Sequence, residues 1–547
     1  MIRVLENEFY YLDNFQRVLD WIGERYRDLL VDDELAFLAA FPTLPQPARA
    51  LFVRMVMRKG NLFRASKLVY AEIGCPVEAA RDLLATGWVE ADPVISLDEL
   101  FDLLSKPEIA GAFGPQLPHR NARKGEQLEA LREQFPDSRA FSAWYRDCAD
   151  LALRIGVKPL CDRLRLIFFG NLAQDWTEFV LSDLGMFRFE QVEISQASRG
   201  FRSRADVEHY ILLHACKERF YAGEPLDEVL RDLPAHVFDN DWLVSRREKL
   251  LFQIGQGFEK LKDWDNAYAV YARCRFLGAR GRAIRVLEKH ERFDEAYALL
   301  QVAQAAPESE AERQQLMRIG PRLARRLGHA RLPARKPLVE RLDLSLPMPV
   351  EDRWVEGVVR DHLASADAPV FYVENALANS LFGLLCWPAV FAAIPGAFFH
   401  PFHRGPADLH SPDFHLRRKA EFDACLARLD DGSYRDTIRA HYREKAGIAS
   451  PFVYWGALSE ELLELALACI PPQHLRKWCE RILADVRANH TGFPDLIQFW
   501  PLEGRYTMIE VKGPGDRLQD NQLRWIDYCS THGMPVSVCY LQWEQAA

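Results

Sequence analysis

The chain has 547 residues, of which 49% are hydrophobic and 27% charged, and its formal net charge is −9 at pH 7. A length of this order predicts about three or four domains, since single domains usually hold about 100–200 residues. The negative balance excludes a surface that is basic all over. Any contact with nucleic acid must therefore come from local basic patches.

The cysteines and the first residues indicate a protein of the reducing cytoplasm. Eleven cysteines are scattered singly, without a Cys-x-x-Cys pair, which argues against a disulfide framework or a zinc site. The N-terminus carries acids where a signal peptide needs a basic start and an apolar core. Because no apolar run approaches about 18 residues, no membrane span is expected.

Residues 1–95 are predicted to be helical with short breaks and to form a DNA-binding domain of winged-helix type. Basic residues concentrate in residues 51–70, and no acid occurs between Glu34 and Glu72. A basic face over a small helical core suits the DNA backbone, because each phosphate contact releases counterions. A solvated charged face is the alternative. The predicted DNA-binding residues are Arg54, Arg58, Lys59, Arg64 and Lys67.

Residues 96–235 are predicted to be a second helical DNA-binding region. Leu97–Ser105 and Arg123–Leu131 resemble the two helices of a SAP module, which touches the duplex backbone without reading its sequence. Two ordinary packed helices are the alternative for this pair. Farther along, Ser195–Arg204 places three arginines on a loop of small residues, which suits either a phosphate clamp or a solvated connector.

Residues 236–345 contain an internal repeat. The segments Lys262–Tyr271 and Glu291–Leu300 superpose with a shift of 29 residues, and each carries an aromatic residue, an acid and then Ala-Tyr at the same offsets. This pattern resembles tetratricopeptide helix pairs, which bury small residues between neighbouring helices and expose a concave face. We interpret the region as a spacer and a docking surface.

A basic run at residues 313–336 follows the repeat and contains no carboxylate. On a chain of net charge −9, this run is where phosphate binding is expected, with a solvated linker as the alternative. Gly320-Pro321 is expected to interrupt its helix. The arginines whose spacing places them on one helical face are Arg318, Arg322 and Arg325.

The C-terminal region, residues 346–547, is predicted to be an α/β domain that begins after a linker at 345–365. Two β-rich runs, 495–500 and 506–512, flank a polar turn, as in a hairpin. A helix and a closing strand follow the hairpin. The order hairpin, helix, strand predicts a mixed sheet.

One face of that hairpin carries a candidate catalytic site. Alternation along the second strand places Glu510 and Lys512 on one face and turns Val511 into the core. Asp495 opens the first strand and can approach them across the ladder. Two carboxylates and an ammonium then surround one small site, which suits Mg²⁺ or Mn²⁺ and a lysine that orients or deprotonates water. The arrangement predicts a nuclease.

A further acid, Glu374, lies upstream of the hairpin. Residues 371–387 are predicted to be a buried helix that carries Glu374 near its N-terminal end. The helix macrodipole favours an acid at that position, which is one explanation for it. A third carboxylate for the metal is the other.

The hairpin strings resemble those of a known nuclease superfamily. Gly-Phe-Pro-Asp-Leu at 492–496 and Glu-Val-Lys-Gly-Pro-Gly-Asp-Arg-Leu at 510–518 resemble the PD-(D/E)XK nucleases, and specifically their VRR-NUC module. Together with the helical front, the repeat and the phrase Tyr10-Tyr-Leu-Asp-Asn-Phe, they make the chain resemble a bacterial member of the Fanconi-anaemia-associated nuclease family. The resemblance implies a structure-specific endonuclease and 5′-to-3′ exonuclease that cuts branched DNA near 5′ flaps and past interstrand crosslinks, at the bacterial nucleoid.

The resemblance also implies a role for each matching residue. Glu374, Asp495 and Glu510 would bind Mg²⁺ or Mn²⁺, with the carbonyl of Val511 as a further ligand. Lys512 would serve the attacking water, and Gln522 would steady the site from its helix. Asn521 stands where animal members carry a lysine, which implies a less charged 5′-phosphate pocket. The residues predicted to bind DNA or its 5′-phosphate here are Arg487, Arg313, Arg318 and Arg322.

Two other functions remain open at this level. One is a junction resolvase with the same core, although such enzymes are small symmetric dimers, whereas residues 1–345 of this chain lie ahead of the nuclease region. The other is a DNA-binding scaffold with a relic site. The presence of all three residues, Asp495, Glu510 and Lys512, argues against an inactive site, because an inactive nuclease site usually lacks one of them.

Overall fold

The structure is a computed structural model that describes residues 7–117, 122–174, 176, 188–235, 238–329, 339–349 and 353–544. The chain divides into two compact units. Unit 1 comprises residues 1–188 and 201–207, and unit 2 comprises residues 189–200 and 208–547. No helix among the described residues is long and apolar enough to cross a bilayer.

Unit 1 combines short helices with small antiparallel sheets. Strands β1, β5 and β2 form a three-stranded sheet in that order, and β3 pairs with β4. The helices are α1 (Tyr10–Arg25), α2 (Asp32–Ala40), α3 (Gln46–Val56), α4 (Pro76–Ala85), α5 (Leu97–Leu103), α6 (Lys106–Phe113), α7 (Lys124–Arg132), α8 (Phe141–Trp144) and α9 (Lys158–Phe169). The strands are β1 (Leu62–Arg64), β2 (Val89–Ala91), β3 (Val94–Ile95), β4 (Arg139–Ala140) and β5 (Ala152–Ile155).

The three-stranded sheet corrects the prediction that residues 1–95 consist of helices with short breaks. Helix α3 ends at Val56, and the chain turns at Gly60, whose φ of 90° favours glycine. Strand β1 then pairs with β5, with Phe63 opposite Leu153. The partner strand lies about ninety residues away along the chain, so local periodicity does not reveal it.

Helices α5 to α8 share a core of their own. Residues such as Leu100, Phe101, Phe113 and Leu131 are buried together in it. Helix α5 begins with a capping box in which the Ser96 hydroxyl accepts from the backbone N–H of Glu99. The two helices predicted around residues 97–105 and 123–131 are both present.

The first part of unit 2 is a stack of antiparallel helices. Consecutive helices from α12 to α16 pack against one another. They follow α10 and α11, and the set is α10 (Arg204–Ala222), α11 (Leu226–Asp232), α12 (Asp241–Lys260), α13 (Trp264–Arg273), α14 (Ala279–Lys289), α15 (Phe293–Ala305) and α16 (Glu310–Arg326).

The internal repeat of the sequence corresponds to two equivalent turns in this stack. Lys262 and Glu291, 29 residues apart, both adopt positive φ, 61° and 60°, immediately ahead of α13 and α15. Ala267 and Ala296 are fully buried at equivalent positions in those helices. Small residues at these positions allow neighbouring helices to approach closely, as the tetratricopeptide-like pattern predicts.

Helix α16 corrects the expected interruption at Gly320-Pro321. The helix is continuous from Glu310 to Arg326, with Pro321 inside it. A Cβ at position 320 would lie 3.2 Å from the Gln304 side chain, so the glycine permits close packing on α15. Pro321 has no N–H to donate to the carbonyl of Met317, and Met317 lies on the exposed face of the helix.

The second part of unit 2 is built on a mixed five-stranded sheet of order β6-β10-β9-β8-β7. Strand β10 runs parallel to β6 and β9, and the other pairs are antiparallel. The strands are β6 (Glu340–Leu346), β7 (Val370–Tyr372), β8 (Leu496–Trp500), β9 (Arg505–Lys512) and β10 (Val536–Trp543). The helices are α17 (Val355–Leu363), α18 (Ala376–Leu385), α19 (Trp387–Val390), α20 (Lys419–Asp431), α21 (Tyr434–Glu444), α22 (Glu460–Cys469), α23 (Pro472–Ala484), α24 (Val486–Asn489) and α25 (Asp520–Thr531).

Two local predictions are wrong in this domain. The linker expected at 345–365 contains helix α17, whose Val359 is buried against the sheet core. The single helix expected over 371–387 is instead strand β7 followed by α18, separated at Asn375 with a φ of 48°. Glu374 therefore lies in the turn between strand and helix, next to the hairpin of β8 and β9.

The helix stack and the five-stranded sheet are joined by polar contacts between α16 and helices α23 and α25. The buried Arg481 guanidinium binds the Glu310 carboxylate at 2.9 Å. Gln314 accepts from Arg524 at 2.7 Å and donates to the carbonyl of Asp520 at 3.2 Å. Arg318 pairs with the Asp520 carboxylate.

Candidate active site

The hairpin of β8 and β9 brings the three predicted catalytic side chains together. Leu496 pairs with Ile509 across the ladder, which places Asp495 beside Glu510 and Val511. The Val511 N–H donates to Asp495 Oδ2 at 2.8 Å. Lys512 Nζ donates to Glu510 Oε1 at 2.7 Å. All three charged side chains are buried, whereas charged groups are usually exposed.

The two carboxyl groups share an environment that disfavours their negative charge. Burial, together with repulsion from Asp495, raises the pKa of Glu510 to about 8, against the opposing effect of Lys512. Burial also raises the pKa of Asp495 to about 6, although the Val511 N–H and Lys512 oppose the shift. Two buried carboxylates beside a single ammonium leave a local deficit of positive charge.

A divalent cation fits this deficit. Glu510 Oε2 is buried and has no hydrogen-bond partner among the described residues, which is costly unless another group binds it. Carboxylate oxygens are the ligands that Mg²⁺ and Mn²⁺ prefer. The donor set of Asp495 and Glu510 therefore suits such an ion.

Glu374 lies next to this pair but is oriented toward other partners. Its backbone N–H donates to the carbonyl of Asp495 at 3.2 Å. Its carboxylate accepts from the Tyr372 hydroxyl and, at 3.2 Å, from Asn375. Within the described ranges, no three His, Cys, Asp or Glu side chains already converge on one point as a metal site. Asp495 and Glu510 are thus the two acids already held close together, and Glu374 is the adjacent acid.

Sequence reasoning missed two neighbours of the site, Glu356 and Tyr372. The charge of Glu356, at the start of α17, contributes to the raised pKa of Asp495, so this acid lies within electrostatic reach of the site. The Tyr372 hydroxyl orients Glu374. Glu356 is overlooked when residues 345–365 are interpreted as a linker. Tyr372 is overlooked when residues 371–387 are expected to form one helix, because Tyr372 lies in strand β7.

The side chain of Gln522, ten residues after Lys512 in sequence, forms a hydrogen bond outside the site. Its Oε1 accepts from the backbone N–H of Gln519 at 2.8 Å, in the capping box that begins α25. No hydrogen bond joins it to Asp495, Glu510 or Lys512 among the described residues. The predicted steadying role of Gln522 stays a prediction.

Three family models match separate parts of the chain. The FAN1 HTH domain matches residues 9–90, the Fanconi anemia-associated nuclease SAP domain matches 94–144, and the VRR-NUC domain matches 429–543. The VRR-NUC match contains the hairpin with Asp495, Glu510 and Lys512.

Comparison with known proteins extends the similarity to nearly the whole chain. The Fanconi-associated nuclease 1 homolog of Pseudomonas aeruginosa is 57% identical over 540 residues, which cover 98% of this chain and 97% of that protein. The chain belongs to the Fanconi-associated nuclease 1 family. The human Fanconi-associated nuclease 1 is 22% identical over 97% of this chain and 62% of its own length.

The fold of this chain is also similar to solved structures of a protein of this family. The crystal structure of paFAN1 bound to 2nt 5′ flap DNA with a gap has a TM-score of 0.94 and 56% identity, with full coverage of both chains. The paFAN1 structure with 1nt 5′ flap DNA has a TM-score of 0.92 and 57% identity, over 99% of this chain and 100% of that one. The predicted family and the helical front followed by a mixed-sheet VRR-NUC domain are confirmed. The chain is a nuclease of a type that uses a divalent metal.

The arginines predicted to bind phosphate in this Fanconi-associated nuclease fall into two groups. Arg322 is paired with Glu288 at 2.5 Å, and Arg318 with Asp520. Arg487 and Arg313 are exposed, and neither forms an ion pair with another described residue. The Arg487 guanidinium lies 5.4 Å from the centre of the Phe276 ring, so it projects from the nuclease domain toward the helix stack.

The basic residues of the FAN1 HTH domain also differ in their surroundings. Arg54 lies over the Tyr11 ring at 3.7 Å and pairs with Glu72 at 2.6 Å. The Arg58 guanidinium donates to the carbonyl of Lys67 at 2.9 Å. The side chains exposed to solvent in this set are Arg58, Lys59 and Lys67.

Arg64 is buried and binds two carboxylates. Its Nε donates to Asp150 at 2.6 Å, and its Nη1 pairs with Glu108. These contacts join β1 to α6 and to the loop ahead of β5. The geometry favours a structural role for Arg64 over contact with DNA.

This difference predicts opposite phenotypes for two substitutions in the same domain. Arg64→Ala should lower the free energy of unfolding by about 3 kcal/mol, because it leaves Asp150 without its buried partner. Lys59→Ala should leave stability unchanged, weaken duplex binding and reduce the salt slope of log K by about 1. Thermal unfolding and binding titrations at several salt concentrations test both. A stable Arg64→Ala variant with a reduced salt slope would assign Arg64 to DNA instead.

Proposed function

We propose that this protein hydrolyses phosphodiesters of branched duplex DNA near 5′ flaps, as an endonuclease and 5′-to-3′ exonuclease in the repair of interstrand crosslinks. The observation that carries the proposal is that paFAN1, at 56–57% identity over essentially the full chain, has been crystallised with 5′ flap DNA. The proposed metal is Mg²⁺ or Mn²⁺, and the proposed location is the bacterial cytoplasm at the nucleoid.

We propose different roles for the residues of the site in binding the metal ion and in acting on the attacking water. Asp495 and Glu510 would hold the metal ion, with Glu374 and the carbonyl of Val511 as further ligands. The Val511 N–H fixes Asp495 through its Oδ2, so one carboxylate oxygen stays free for coordination. The bound metal would supply a positive charge that activates water and stabilises the crowded phosphoryl oxygens.

Lys512 is the candidate group for handling the attacking water. Its ammonium is buried beside Glu510 and is held at 2.7 Å from Oε1. From that position it can orient the water, or accept its proton once deprotonated. In-line attack at phosphorus then leaves a 5′-phosphate and a 3′-hydroxyl.

Arg487 is the proposed contact for a 5′-terminal phosphate. It lies in α24, eight residues before Asp495 in the chain, and no described carboxylate pairs with it. A terminal phosphate carries one charge more than a phosphodiester and accepts two parallel hydrogen bonds from a guanidinium. Arg313, on α16, is the second exposed arginine proposed for this pocket.

The phosphate assignment predicts a substrate-dependent effect of one substitution. Arg487→Ala should slow cleavage of a 5′-phosphorylated flap or nick by about 10- to 100-fold, the equivalent of losing one or two hydrogen bonds to a charged group. It should change cleavage of the unphosphorylated substrate little. Arg322→Ala is the matched control, because Arg322 is already paired with Glu288. Equal losses on both substrates would contradict the assignment.

A cleavage map tests the proposed function as a whole. Flapped, nicked, forked and four-way-junction duplexes with labelled ends are incubated with the protein and Mg²⁺ or Mn²⁺. Incision near the 5′ flap at the highest rate supports the proposal. Symmetric cuts in the four-way junction would indicate a resolvase, and binding without cleavage under any metal would indicate a scaffold.

A further inference from the structure

Two aromatic side chains beside the active site remain largely exposed. Trp354 and Tyr372 keep 48% and 39% of their surfaces accessible. Their ring centres are 4.7 Å apart and their planes are nearly perpendicular, at 81°. Rings that served only the core would be buried, because transfer from water is favourable for so much apolar area.

Trp354 is held in place by the first turn of α17. It is the residue just before that helix, and a Cβ added at Gly357 would lie 2.8 Å from its ring. The glycine therefore permits the indole to rest on the helix. The next residue, Val355, is within 3.4 Å of the Cβ position of Gly513, which follows Lys512. The position of the indole is thus tied to the end of the catalytic strand.

Tyr372 is tied to the acids of the site. Its hydroxyl donates to Glu374, and its backbone pairs with Leu496, next to Asp495. Burial of the hydroxyl and the charge of Glu374 raise the pKa of Tyr372. The hydroxyl end of the ring points at the active-site acids, and part of the ring remains accessible.

Two arginines lie near these rings, together with the acids Glu356 and Glu374. The guanidinium of Arg360 lies 5.8 Å from the Trp354 ring. Arg353 is exposed and Arg360 is partly exposed, and both form ion pairs with Asp361. Exposed aromatic faces combined with arginines are how proteins hold unpaired bases together with their phosphates.

We propose that Trp354 and Tyr372 form a stacking platform for an unpaired DNA base next to the scissile phosphodiester. The inference rests on the proposed function, since a flap or a bent branch point is what supplies an unpaired base at this place. Stacking on an aromatic side chain changes affinity by about 5- to 100-fold per base. The platform holds the strand that enters the site, and it reads no sequence because every base has a stacking face.

An abasic scan with the wild-type protein tests the platform without changing the enzyme. Flapped duplexes carry one abasic residue at successive positions around the incision point. One position should slow cleavage by about 5- to 100-fold relative to its neighbours. Trp354→Ala should slow the intact substrate to the same extent and should lose nothing further on that abasic substrate. Trp354→Phe should restore most of the rate, because it restores a ring.

Binding provides a second readout that does not depend on cleavage. With Ca²⁺ in place of the catalytic metal, 2-aminopurine at the position identified by the scan should be quenched by the wild-type protein. The quench should be lost in Trp354→Ala and kept in Tyr372→Phe, which retains the ring but not the hydroxyl bound to Glu374. Thermal unfolding of each variant checks that it is folded.

The possible results separate the inference from the function on which it rests. If the wild-type protein cuts no flapped duplex with Mg²⁺ or Mn²⁺, the proposed function fails. If it cuts them but all abasic substrates react equally, and 2-aminopurine stays unquenched at every position, the stacking platform alone is overturned.

Discussion

Asp495→Asn is expected to lower the rate of flap cleavage by about 10³-fold or more, while the affinity for DNA stays within a few-fold of wild type. The metal contributes several kcal/mol to the transition state, and each 1.36 kcal/mol is a factor of ten. Affinity is maintained because phosphate contacts elsewhere supply most of it. Single-turnover cleavage and a binding titration in Ca²⁺ measure the two quantities.

The same substitution should not destabilise the metal-free protein. The asparagine carbonyl can still accept from the Val511 N–H, which now binds Asp495 at 2.8 Å. Removing one charge also relieves the repulsion that raises the pKa of Glu510. The Tm without metal should be unchanged or higher, and added Mn²⁺ should raise the Tm of the wild type but not of the variant.

A matched control for this variant lies in the turn of the same hairpin. Glu503 is exposed and pairs only with Arg505 among the described residues, so Glu503→Gln removes a carboxylate from the hairpin without touching the site. It should cleave at the wild-type rate. Cleavage by Asp495→Asn within tenfold of wild type would refute the assignment of Asp495 as a metal ligand.

Lys512→Ala is expected to reduce cleavage by about 10²–10⁴-fold, the usual contribution of a group that transfers or orients a proton. The affinity for Mn²⁺ should hardly change, because Asp495 and Glu510 remain. Loss of the ammonium raises the pKa of Glu510 further, since Lys512 now opposes that shift. The comparison therefore belongs at a pH well above 8, because the pKa of Glu510 is about 8 with Lys512 present and higher without it.

Calorimetry distinguishes the two possible roles of Lys512. A rate loss with unchanged Mn²⁺ binding supports action on the attacking water. A large loss of Mn²⁺ affinity at that pH would instead make the lysine part of the scaffold that holds Glu510. Lys512→Arg serves as the control, because it keeps the charge next to Glu510 but cannot accept a proton.

The catalytic hairpin could be predicted from the sequence because its determinants are local. The alternation of Glu510, Val511 and Lys512 is set by the period of a strand, and a short turn fixes the register that brings Asp495 to them. The internal repeat can also be predicted from the sequence, because Ala267 and Ala296 occupy the same buried position in successive helix pairs.

Elements whose partners lie far away in sequence could not be predicted in this way. Strand β6 is defined by parallel pairing with β10, nearly two hundred residues later. Its residues alternate between exposed and partly buried because it lies at the sheet edge, but this alternation does not show which sheet the strand joins. Glu356 was missed for the same reason. Its proximity to Asp495 follows from the packing of α17 against the sheet, which no local pattern reports.

The contact between Arg481 and Glu310 has a consequence for how this protein can be dissected. Arg481 is buried over Trp525 and Tyr528, and its ion pair reaches from the nuclease domain to α16 of the helix stack. A fragment that begins at β6 and keeps the whole five-stranded sheet would leave this guanidinium without the Glu310 carboxylate. That loss costs about 3 kcal/mol or more, against a total stability of about 5–15 kcal/mol for a domain. We therefore expect the stack and the nuclease sheet to unfold in one cooperative transition. The nuclease domain is expected to be unstable when it is expressed without the helix stack.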